Sequence, residues 1–396
     1  LVVSGKVSAL YTPGFGGTAE AVMKMAFGNR IGFAFADVEK TTLFGYAYGS
    51  FVMEMADDTV PADAIFLGKT SADYALSYAG ETVSLAALYE DYAGRLESVY
   101  PTKANVSRTD DTVPTISAPR YTTVRTTEKF ARPRVLIPAF PGTNCEYDTA
   151  KALERAGLVP EIMVIRNLTS EAVAASVEAF AEKLPQSQIV FIPGGFSGGD
   201  EPDGSGKFIT AFFRNGIIRE RTNELLKARM GLMCGICNGF QAIVKLGLVP
   251  YGEIIDTDEN CPTLTFNEIG RHQSRLVRTR IASTKSPWLA ETEVGEIYNV
   301  AISHGEGRFI APQSVLDSLV ANGQVATQYV DPDGCATMDI DYNPNGSLLA
   351  IEGITSPDGR VFGKMGHSER YSAGLYQNVP GSYDMGMFTA ARKYFG

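Results

Sequence analysis

Residues 230–241 read Met-Gly-Leu-Met-Cys-Gly-Ile-Cys-Asn-Gly-Phe-Gln, and this stretch decides the fold. Its apolar run at 232–234 is typical of a buried β-strand. Residues 238–246 carry apolar side chains at the spacing of one helix face, so a helix is predicted almost directly after the strand. A strand that turns at once into a helix indicates an α/β sheet.

Cys237 lies at the corner between the predicted strand and helix, with Gly235 and Gly239 two residues to either side. This Gly-x-Cys-x-Gly spacing is the cysteine form of the nucleophile elbow, a turn so sharp that side chains at the glycine positions would collide. The corner places the sulfur at a helix N-terminus, where the helix dipole favours thiolate over thiol. Cys237 is therefore the candidate nucleophile.

Residues 134–396 alternate predicted strands with predicted helices. The predicted strands lie at 135–139, 161–165, 188–192, 232–234, 297–302, 325–329, 347–354 and 361–365. The predicted helices lie at 148–156, 170–184, 207–229, 238–246 and 385–394. This pattern predicts an α/β fold with a doubly wound, mostly parallel sheet and helices on both faces. Ligands of such sheets bind beyond the carboxyl ends of the strands.

Residues 1–100 carry mixed signals and predict a smaller α+β half-domain. Its predicted helices lie at 18–27 and 84–99, and its predicted strands at 31–36, 50–55, 64–67 and 74–78. Residues 101–133 contain several prolines, many threonines and no hydrophobic period, which predicts an inter-domain linker. The glycine-rich stretch 13–17 is interpreted as a tight turn, with phosphate binding on its amides as the alternative.

The composition is that of a soluble globular protein, with 44% apolar and 20% charged residues. A formal net charge of −10 argues against binding to nucleic acid or to an anionic membrane, and no apolar run is long enough to span a bilayer. Five cysteines are an odd, sparse set, which predicts a reducing cytoplasm. The length of 396 residues predicts two domains, and the opening without Met predicts a piece of a longer protein.

Two other interpretations of Cys237 are open. It could be a buried thiol with no chemical role, since free cysteine is common in protein cores. Cys234 and Cys237 also form a Cys-x-x-Cys pair, as in thiol redox proteins or half of a zinc site. No second ligand pair at zinc spacing exists, so no metal site is predicted. Cys234 falls inside the predicted strand, which favours a core position.

A thiolate nucleophile needs an imidazole to carry protons and a carboxylate to orient that imidazole. Two His-x-Glu pairs can supply both, His304 with Glu306 and His367 with Glu369. Each follows a predicted strand, so the spacing alone does not choose between them. His272 has no local carboxylate and is interpreted as structural or substrate-facing.

Acyl chemistry also needs donors for a developing oxyanion. The amide of Asn238 is one candidate, because it begins the helix after the elbow. The segment Gly194-Gly195-Phe196 is the second, because glycine lets the backbone approach a substrate closely. The alternative for that segment is an ordinary turn at the end of a strand.

Six stretches of residues 134–396 resemble the class I (triad) glutamine amidotransferases, in the order found in that family. The resemblance is most specific to the glutaminase domains of phosphoribosylformylglycinamidine synthases. The stretches are PGTNCE (141–146), PGGFSGGDE (193–201), CGICNGFQ (234–241), PTLTFNEIGRHQSR (262–275), SHGEGRF (303–309) and GHSER (366–370).

The resemblance implies a triad of Cys237, His367 and Glu369, with His304 as the second choice of histidine. It implies oxyanion or glutamine-binding roles for Gly194, Gly195, Phe196, Asn238 and Gln241. It further implies an active-site rim that includes His304, Glu306 and Asn144.

The sequence departs from the family pattern in two loops. The proline usual around the late histidine is missing, since His367 lies between Gly366 and Ser368. The loop 196–200 reads Phe-Ser-Gly-Gly-Asp where an aromatic residue is common. Neither change removes a reacting group, but both alter the loops that hold the reacting groups.

Residues 1–100 resemble the carboxyl-terminal half of an aminoimidazole-ribonucleotide-synthetase-like domain, as found upstream in the long single-chain form of these synthases. The acidic segment expected beside the glycines is replaced by Tyr-Thr-Pro-Gly-Phe-Gly-Gly at 11–17. A magnesium–nucleotide site would need those acidic groups. The half-domain is therefore interpreted as structural or degenerate.

The resemblance implies a glutamine-hydrolysing C–N ligase of purine biosynthesis, with L-glutamine as the substrate of this chain. No cofactor is expected for the glutaminase step, whereas ATP and Mg²⁺ would act in a synthetase region outside this sequence. That region is the expected partner, with no nucleic acid or membrane. Three alternatives are a class I glutaminase of another pathway, a thiol redox protein using the Cys-x-x-Cys pair, and a non-catalytic interaction module.

Overall fold

The computed structural model describes residues 1–102, 112–196, 206–376 and 379–396. The chain forms two compact units, Leu1–Thr102 and Lys103–Gly396. The described part of the predicted linker, 112–133, is irregular and belongs to the second unit, so it does not form a separate connection between the units. Ile116 illustrates this, because its N–H donates to Gln328 Oε1 (2.7 Å) and its C=O accepts from the Arg280 guanidinium (2.6 Å). Residues 103–111 of that linker, and residues 197–200 of the predicted oxyanion loop, lie outside the described residues.

The first unit has short strands and helices around a small apolar core. Its elements are β1 (Val7–Tyr11), α1 (Gly17–Asn29), β2 (Gly32–Phe35), α2 (Lys40–Phe44), β3 (Val52–Met55), β4 (Gly68–Ser71), β5 (Ala75–Tyr78), β6 (Glu81–Ser84) and α3 (Leu85–Gly94). β1 pairs with β3, and the other strands form a mixed sheet in the order β4-β2-β5-β6. The buried core centres on Ala21, Val22 and Val52.

Two sequence expectations for this unit can be compared with the structure. The strand predicted at 64–67 is wrong, because the paired segment is β4, which starts at Gly68. Leu67 instead packs against the core from an irregular segment. At the glycine-rich turn, Gly16 N–H donates to Glu20 Oε2 (2.7 Å). An anion approaching that amide would meet the Glu20 carboxylate, which favours the tight-turn interpretation over phosphate binding.

The second unit carries the longer elements. Its strands are β7 (Arg134–Ala139), β8 (Val159–Val164), β9 (Ile189–Ile192), β10 (Leu232–Ile236), β11 (Thr263–Thr265), β12 (Gln273–Ile281), β13 (Ile297–His304), β14 (Arg308–Ile310), β15 (Val325–Tyr329), β16 (Ile351–Thr355) and β17 (Val361–Lys364). Its helices are α4 (Glu146–Arg155), α5 (Ser170–Lys183), α6 (Lys207–Phe213), α7 (Gly216–Asn223), α8 (Asn238–Lys245), α9 (Leu248–Tyr251), α10 (Gln313–Ala321) and α11 (Met387–Tyr394).

The main sheet has the strand order β13-β12-β15-β16-β17-β10-β9-β7-β8. The α/β class predicted from the sequence is confirmed, but the sheet is mixed and not mostly parallel. Neighbours from β17 to β8 are parallel, whereas neighbours from β13 to β17 are antiparallel. The reason is connection length, since β16 and β17 are joined by a short turn that can only return the chain antiparallel. β12 was not predicted, because it contains no apolar run, and it pairs antiparallel with both β13 and β15.

Helices cover both faces of the parallel half, as predicted. Phe191, Cys234 and Phe362 are register partners on adjacent strands, so they share one face, and Phe191 contacts Phe388 of α11 there (ring centroids 6.0 Å apart). The opposite face carries Gly363, where Phe240 of α8 packs directly on the strand. None of the helices in the described residues has the length and apolar character that a bilayer-crossing segment needs.

A Gly363→Ala substitution tests the packing of α8 on β17. A Cβ at Gly363 would overlap the Phe240 ring and lie 2.9 Å from Ile243 Cδ1, so we expect a loss of about 1–3 kcal/mol in unfolding free energy. The measurement is denaturant unfolding followed by fluorescence of the single tryptophan, Trp288, which is buried in the second unit.

Gly216→Ala is the matched control, because a Cβ at Gly216 meets nothing within 4 Å and the residue begins α7. Its unfolding free energy should stay the same or rise by up to about 1 kcal/mol. Equal effects of the two substitutions would contradict the packing argument.

Candidate functional site

The strand-to-helix corner predicted at Cys237 is confirmed. β10 ends at Ile236, α8 begins at Asn238, and Cys237 between them has φ 54° and ψ −109°, a conformation that costs energy in a residue with a side chain. Gly235 makes the turn sterically feasible, because a Cβ there would lie 2.5 Å from Gly239 O. Glycine is also required at position 239, because a Cβ there would overlap the backbone carbonyl of Ile192 in β9.

His367 and Glu369 meet Cys237 beyond the carboxyl end of the neighbouring strand. Cys237 N–H donates to Lys364 O (2.9 Å) at the end of β17, and His367 follows three residues later. His367 Nδ1 lies 2.6 Å from Glu369 Oε1, and all three side chains are buried. The structure therefore brings together the three residues that the resemblance assigned to a triad.

The charge state of His367 depends on two opposing effects. Burial lowers its pKa, but the Glu369 carboxylate and the Cys237 thiol beside it raise the pKa more strongly. The net result is a His367 pKa well above 6.5. The site thus favours an imidazolium between two groups that can carry negative charge.

Gly194 occupies the space between the reacting side chains. A Cβ at this position would lie 2.7 Å from His367 Cε1, 3.2 Å from Cys145 Sγ and 3.3 Å from Cys237 Cβ. Gly194 O accepts from the amides of Asn144 (3.2 Å) and Cys145 (3.3 Å), so the two loops are held together. A side chain at position 194 would therefore collide with His367, so glycine lets this loop approach the reacting groups closely.

The two predicted oxyanion donors are the backbone amides of Asn238 and of the Gly195 segment. Asn238 is the first residue of α8, where backbone amides have no acceptor within the helix. Gly195 adopts φ 147°, and its N–H makes no hydrogen bond to another described residue. Phe196 N–H, by contrast, donates to Gly142 O (2.8 Å) and is already engaged. The Phe196 ring lies 6.1 Å from the His272 ring.

Gln241 is engaged at both ends of its side chain. Its Oε1 accepts from Asn238 Nδ2 (2.9 Å), and its Nε2 donates to Glu306 O. These contacts fasten α8 to the segment that follows β13. A direct contact between Gln241 and glutamine stays a prediction.

His304 lies near the site in a different electrostatic setting. Its Nδ1 is 3.0 Å from Asn267 Oδ1, and its Nε2 has no hydrogen-bond partner among the described residues, so it does not couple to Glu306. Burial, together with the charges of His367 and His272, lowers the His304 pKa to about 3. His304 is therefore neutral at physiological pH, which argues against the second choice of histidine.

Comparison with known proteins agrees with this geometry. Residues 132–395 match the family described as the CobB/CobQ-like glutamine amidotransferase domain. The chain belongs to the glutamine amidotransferase family.

Relatives and solved structures of this glutamine amidotransferase carry related names. The phosphoribosylformylglycinamidine synthase subunit PurQ of Treponema denticola is 36% identical over 251 residues, covering 60% of this chain and 88% of the relative. The subunit of the same name from Methanococcus maripaludis is 33% identical over 239 residues, covering 60% of this chain and 82% of the relative. The structure of PurLQS from Thermotoga maritima is 26% identical with a TM-score of 0.47, covering 67% of this chain and 100% of the other.

Sequence reasoning missed Cys145 in this glutamine amidotransferase. Its Sγ lies 3.8 Å from His367 Nδ1 at the start of α4, and burial raises its pKa. The residue was visible in the PGTNCE stretch, but no spacing rule tied it to the histidine. Cys145, His367 and Glu369 offer ligand atoms within 4.8 Å of one another. A metal there would have to replace the His367–Glu369 hydrogen bond, so the prediction of no metal is kept.

The two buried histidines should titrate very differently. Proton NMR over pH 5–9 should show His304 unchanged, because its pKa is about 3, and His367 titrating above pH 6.5. Because the pKa of His367 is higher in the folded protein than in the unfolded chain, its protonation adds to the free energy of unfolding. This contribution is fully present below pH 6.5 and is lost as the pH rises through the folded-state pKa.

Glu369→Gln should move the His367 titration to lower pH, because the neutral amide no longer stabilises the imidazolium. His367→Ala assigns the signal by removing it. A His367 that titrates below pH 6.5 in the unmodified protein would contradict this account.

Proposed function

We propose that this chain is the glutaminase portion of phosphoribosylformylglycinamidine synthase. It hydrolyses glutamine through Cys237, His367 and Glu369. The ammonia serves the ATP-dependent conversion of formylglycinamide ribonucleotide to formylglycinamidine ribonucleotide in purine biosynthesis. The observation that carries the proposal is the thiol on its strained corner beside a His367–Glu369 couple at 2.6 Å.

The first half of the proposed reaction forms a thioester. The Cys237 thiolate attacks the side-chain amide carbon of glutamine, and the carbonyl oxygen becomes an oxyanion between the backbone amides of Asn238 and Gly195. His367 donates its proton to the amide nitrogen, the C–N bond breaks, and ammonia leaves. Glu369 stabilises the imidazolium before that transfer and keeps the ring oriented throughout.

The second half hydrolyses the thioester. Neutral His367 takes a proton from water, and the resulting hydroxide attacks the thioester carbon. The C–S bond then breaks, which releases glutamate and restores the Cys237 thiolate beside an imidazolium. The raised pKa of His367 supports this cycle, since the thiolate–imidazolium pair is the state that starts it.

The synthetase region is the proposed partner. The Treponema denticola and Methanococcus maripaludis relatives are each a subunit of a synthase, which supports an ammonia acceptor outside these residues. ATP and Mg²⁺ are proposed to act in that region, with no cofactor in the glutaminase step. Residues 1–100 are proposed to be the end of a synthetase-like domain in a long single-chain form. All five cysteines are free thiols, which suits the cytoplasm.

The thiol redox alternative has less support than the glutaminase. Cys234 is fully buried inside β10, and burial raises its pKa well above the ordinary value. A buried thiol with a raised pKa is a poor nucleophile and a poor partner for disulfide exchange. The relatives' names also favour this synthase over a glutaminase of another pathway.

Removal of the proposed nucleophile tests the chemistry. Cys237→Ala should lower glutamine hydrolysis by roughly 10⁴-fold or more and abolish covalent labelling by a chloroketone analogue of glutamine. Labelling is measured by mass spectrometry of the peptide that contains Cys237. A non-catalytic module would show neither hydrolysis nor labelling in the unmodified protein.

Cys234→Ala is the matched control, because it removes the other thiol of the Cys-x-x-Cys pair. It should retain hydrolysis and labelling. Loss of hydrolysis in Cys234→Ala, with retention in Cys237→Ala, would overturn the assignment.

Addition of the synthetase region tests the proposed partner. Glutamine hydrolysis should rise when that region, ATP and formylglycinamide ribonucleotide are present, and amidine product should form in step with glutamate. The measurement is the ratio of glutamate to amidine product. Hydrolysis that never couples to amidine formation would favour a glutaminase of another pathway.

A further inference from the structure

The loop that carries His367 has an unusual design for a base that must be placed accurately. Gly366 precedes the histidine, and glycine has the greatest backbone freedom of any residue. Ser368 follows it, so neither neighbour restricts the backbone as proline would. A displacement of about 1 Å in a catalytic group can cost a factor of roughly 100 in rate. Other contacts must therefore hold the loop in place.

Lys364 and Glu352 form an ion pair directly behind this loop. Their side chains are fully buried on neighbouring strands β17 and β16, with Lys364 Nζ 3.6 Å from Glu352 Oε1. Burying two charges costs several kcal/mol for each ion, and such pairs are often no more stabilising than apolar residues. The stability of the fold alone does not account for this pair.

Each member of the pair contacts one neighbour of His367. Glu352 Oε1 accepts a hydrogen bond from Gly366 N–H (2.6 Å). Lys364 Nζ donates to Ser368 Oγ (2.9 Å). The ion pair thus holds the residues on both sides of the histidine.

The pair is itself held in place by the sheet. The other carboxylate oxygen of Glu352 accepts from the hydroxyl of Thr327 on β15. The main chain of Lys364 accepts the hydrogen bond from Cys237 N–H. Lys364 therefore contacts the nucleophile through its backbone and the histidine loop through its side chain.

We propose that Lys364 and Glu352 are positioning residues that fix the His367 imidazole relative to Cys237 through Gly366 and Ser368. They do not touch the substrate and act only through the loop. The proposal rests on the proposed glutaminase function for its catalytic readout, but its geometric consequence for Cys237 can be measured without glutamine.

Three variants of the full chain separate positioning from stability. The double variant Lys364→Met with Glu352→Gln removes both charges together, so no unpaired charge stays buried. Its Gln keeps an acceptor for Gly366 N–H, but the contact with Ser368 is lost. Ser368→Ala removes that contact and leaves the ion pair intact. Ser368→Thr keeps the hydroxyl and should restore what Ser368→Ala loses.

We expect the double variant and Ser368→Ala to lower kcat for glutamine hydrolysis by about 10- to 100-fold, with KM within about twofold of the unmodified value. The rate of Cys237 alkylation by iodoacetamide should be measured at neutral pH by peptide mass spectrometry. This rate should fall, because a displaced imidazolium no longer assists the sulfur as a nucleophile. Ser368→Thr should keep the original rate.

The Arg360–Asp358 ion pair, next to the start of β17, provides a matched control (Arg360 Nη2 to Asp358 Oδ2, 2.6 Å). Arg360→Met with Asp358→Asn should lower the unfolding midpoint without changing kcat per folded molecule or the alkylation rate. Unchanged kcat and alkylation rate in both Lys364→Met with Glu352→Gln and Ser368→Ala would overturn the proposal. A lowered alkylation rate in these variants of a protein that never hydrolyses glutamine would support positioning and overturn the glutaminase function instead.

Discussion

The hydrogen bond from Cys237 N–H to Lys364 O joins the two strands on which the site depends. β10 and β17 run parallel and in register, so their carboxyl ends finish side by side. One strand turns immediately into α8 and places the sulfur at that edge, and the other continues into the loop that carries His367. Reactive groups far apart in sequence thus meet because parallel strands end at the same edge of a sheet.

The two buried histidines show which electrostatic effect dominates. Burial disfavours the charged form of both, yet the pKa of His304 falls to about 3 while that of His367 rises above 6.5. The difference lies in their partners, since Asn267 offers His304 an amide oxygen and Glu369 offers His367 a carboxylate. For His367 the Glu369 carboxylate and the neighbouring sulfurs of Cys237 and Cys145 together outweigh desolvation, whereas the amide dipole beside His304 does not.

Local patterns predicted the local features of this chain. The elbow at Cys237 follows from two glycines at positions where a side chain would clash, and that geometry can be predicted without knowledge of the fold.

Features that depend on long-range strand pairing were harder to predict from the sequence. β12 mixes arginines with apolar residues, so it carried no continuous apolar run and was not predicted. Three of the strands beyond it were predicted, but their antiparallel direction was not. Spacing also left His304 and His367 equivalent, because only strand order decides which one adjoins the sulfur. Cys145 and Glu352 are likewise brought near His367 by the tertiary structure, so no sequence spacing connects them with it.

The Lys364–Glu352 pair shows how a loop without proline can be held in a fixed geometry. Proline restricts a backbone covalently, whereas Gly366 and Ser368 must be restrained by partners outside the loop. A carboxylate and an ammonium suit this task, because each forms directional hydrogen bonds and neither can leave its position without exposing the other as an unpaired buried charge. Because Gly366 and Ser368 are hydrogen-bonded to the pair, a movement of the loop would break the pair and would cost the free energy of leaving a buried charge unpaired. Charge burial that contributes little to stability can in this way specify where an imidazole sits.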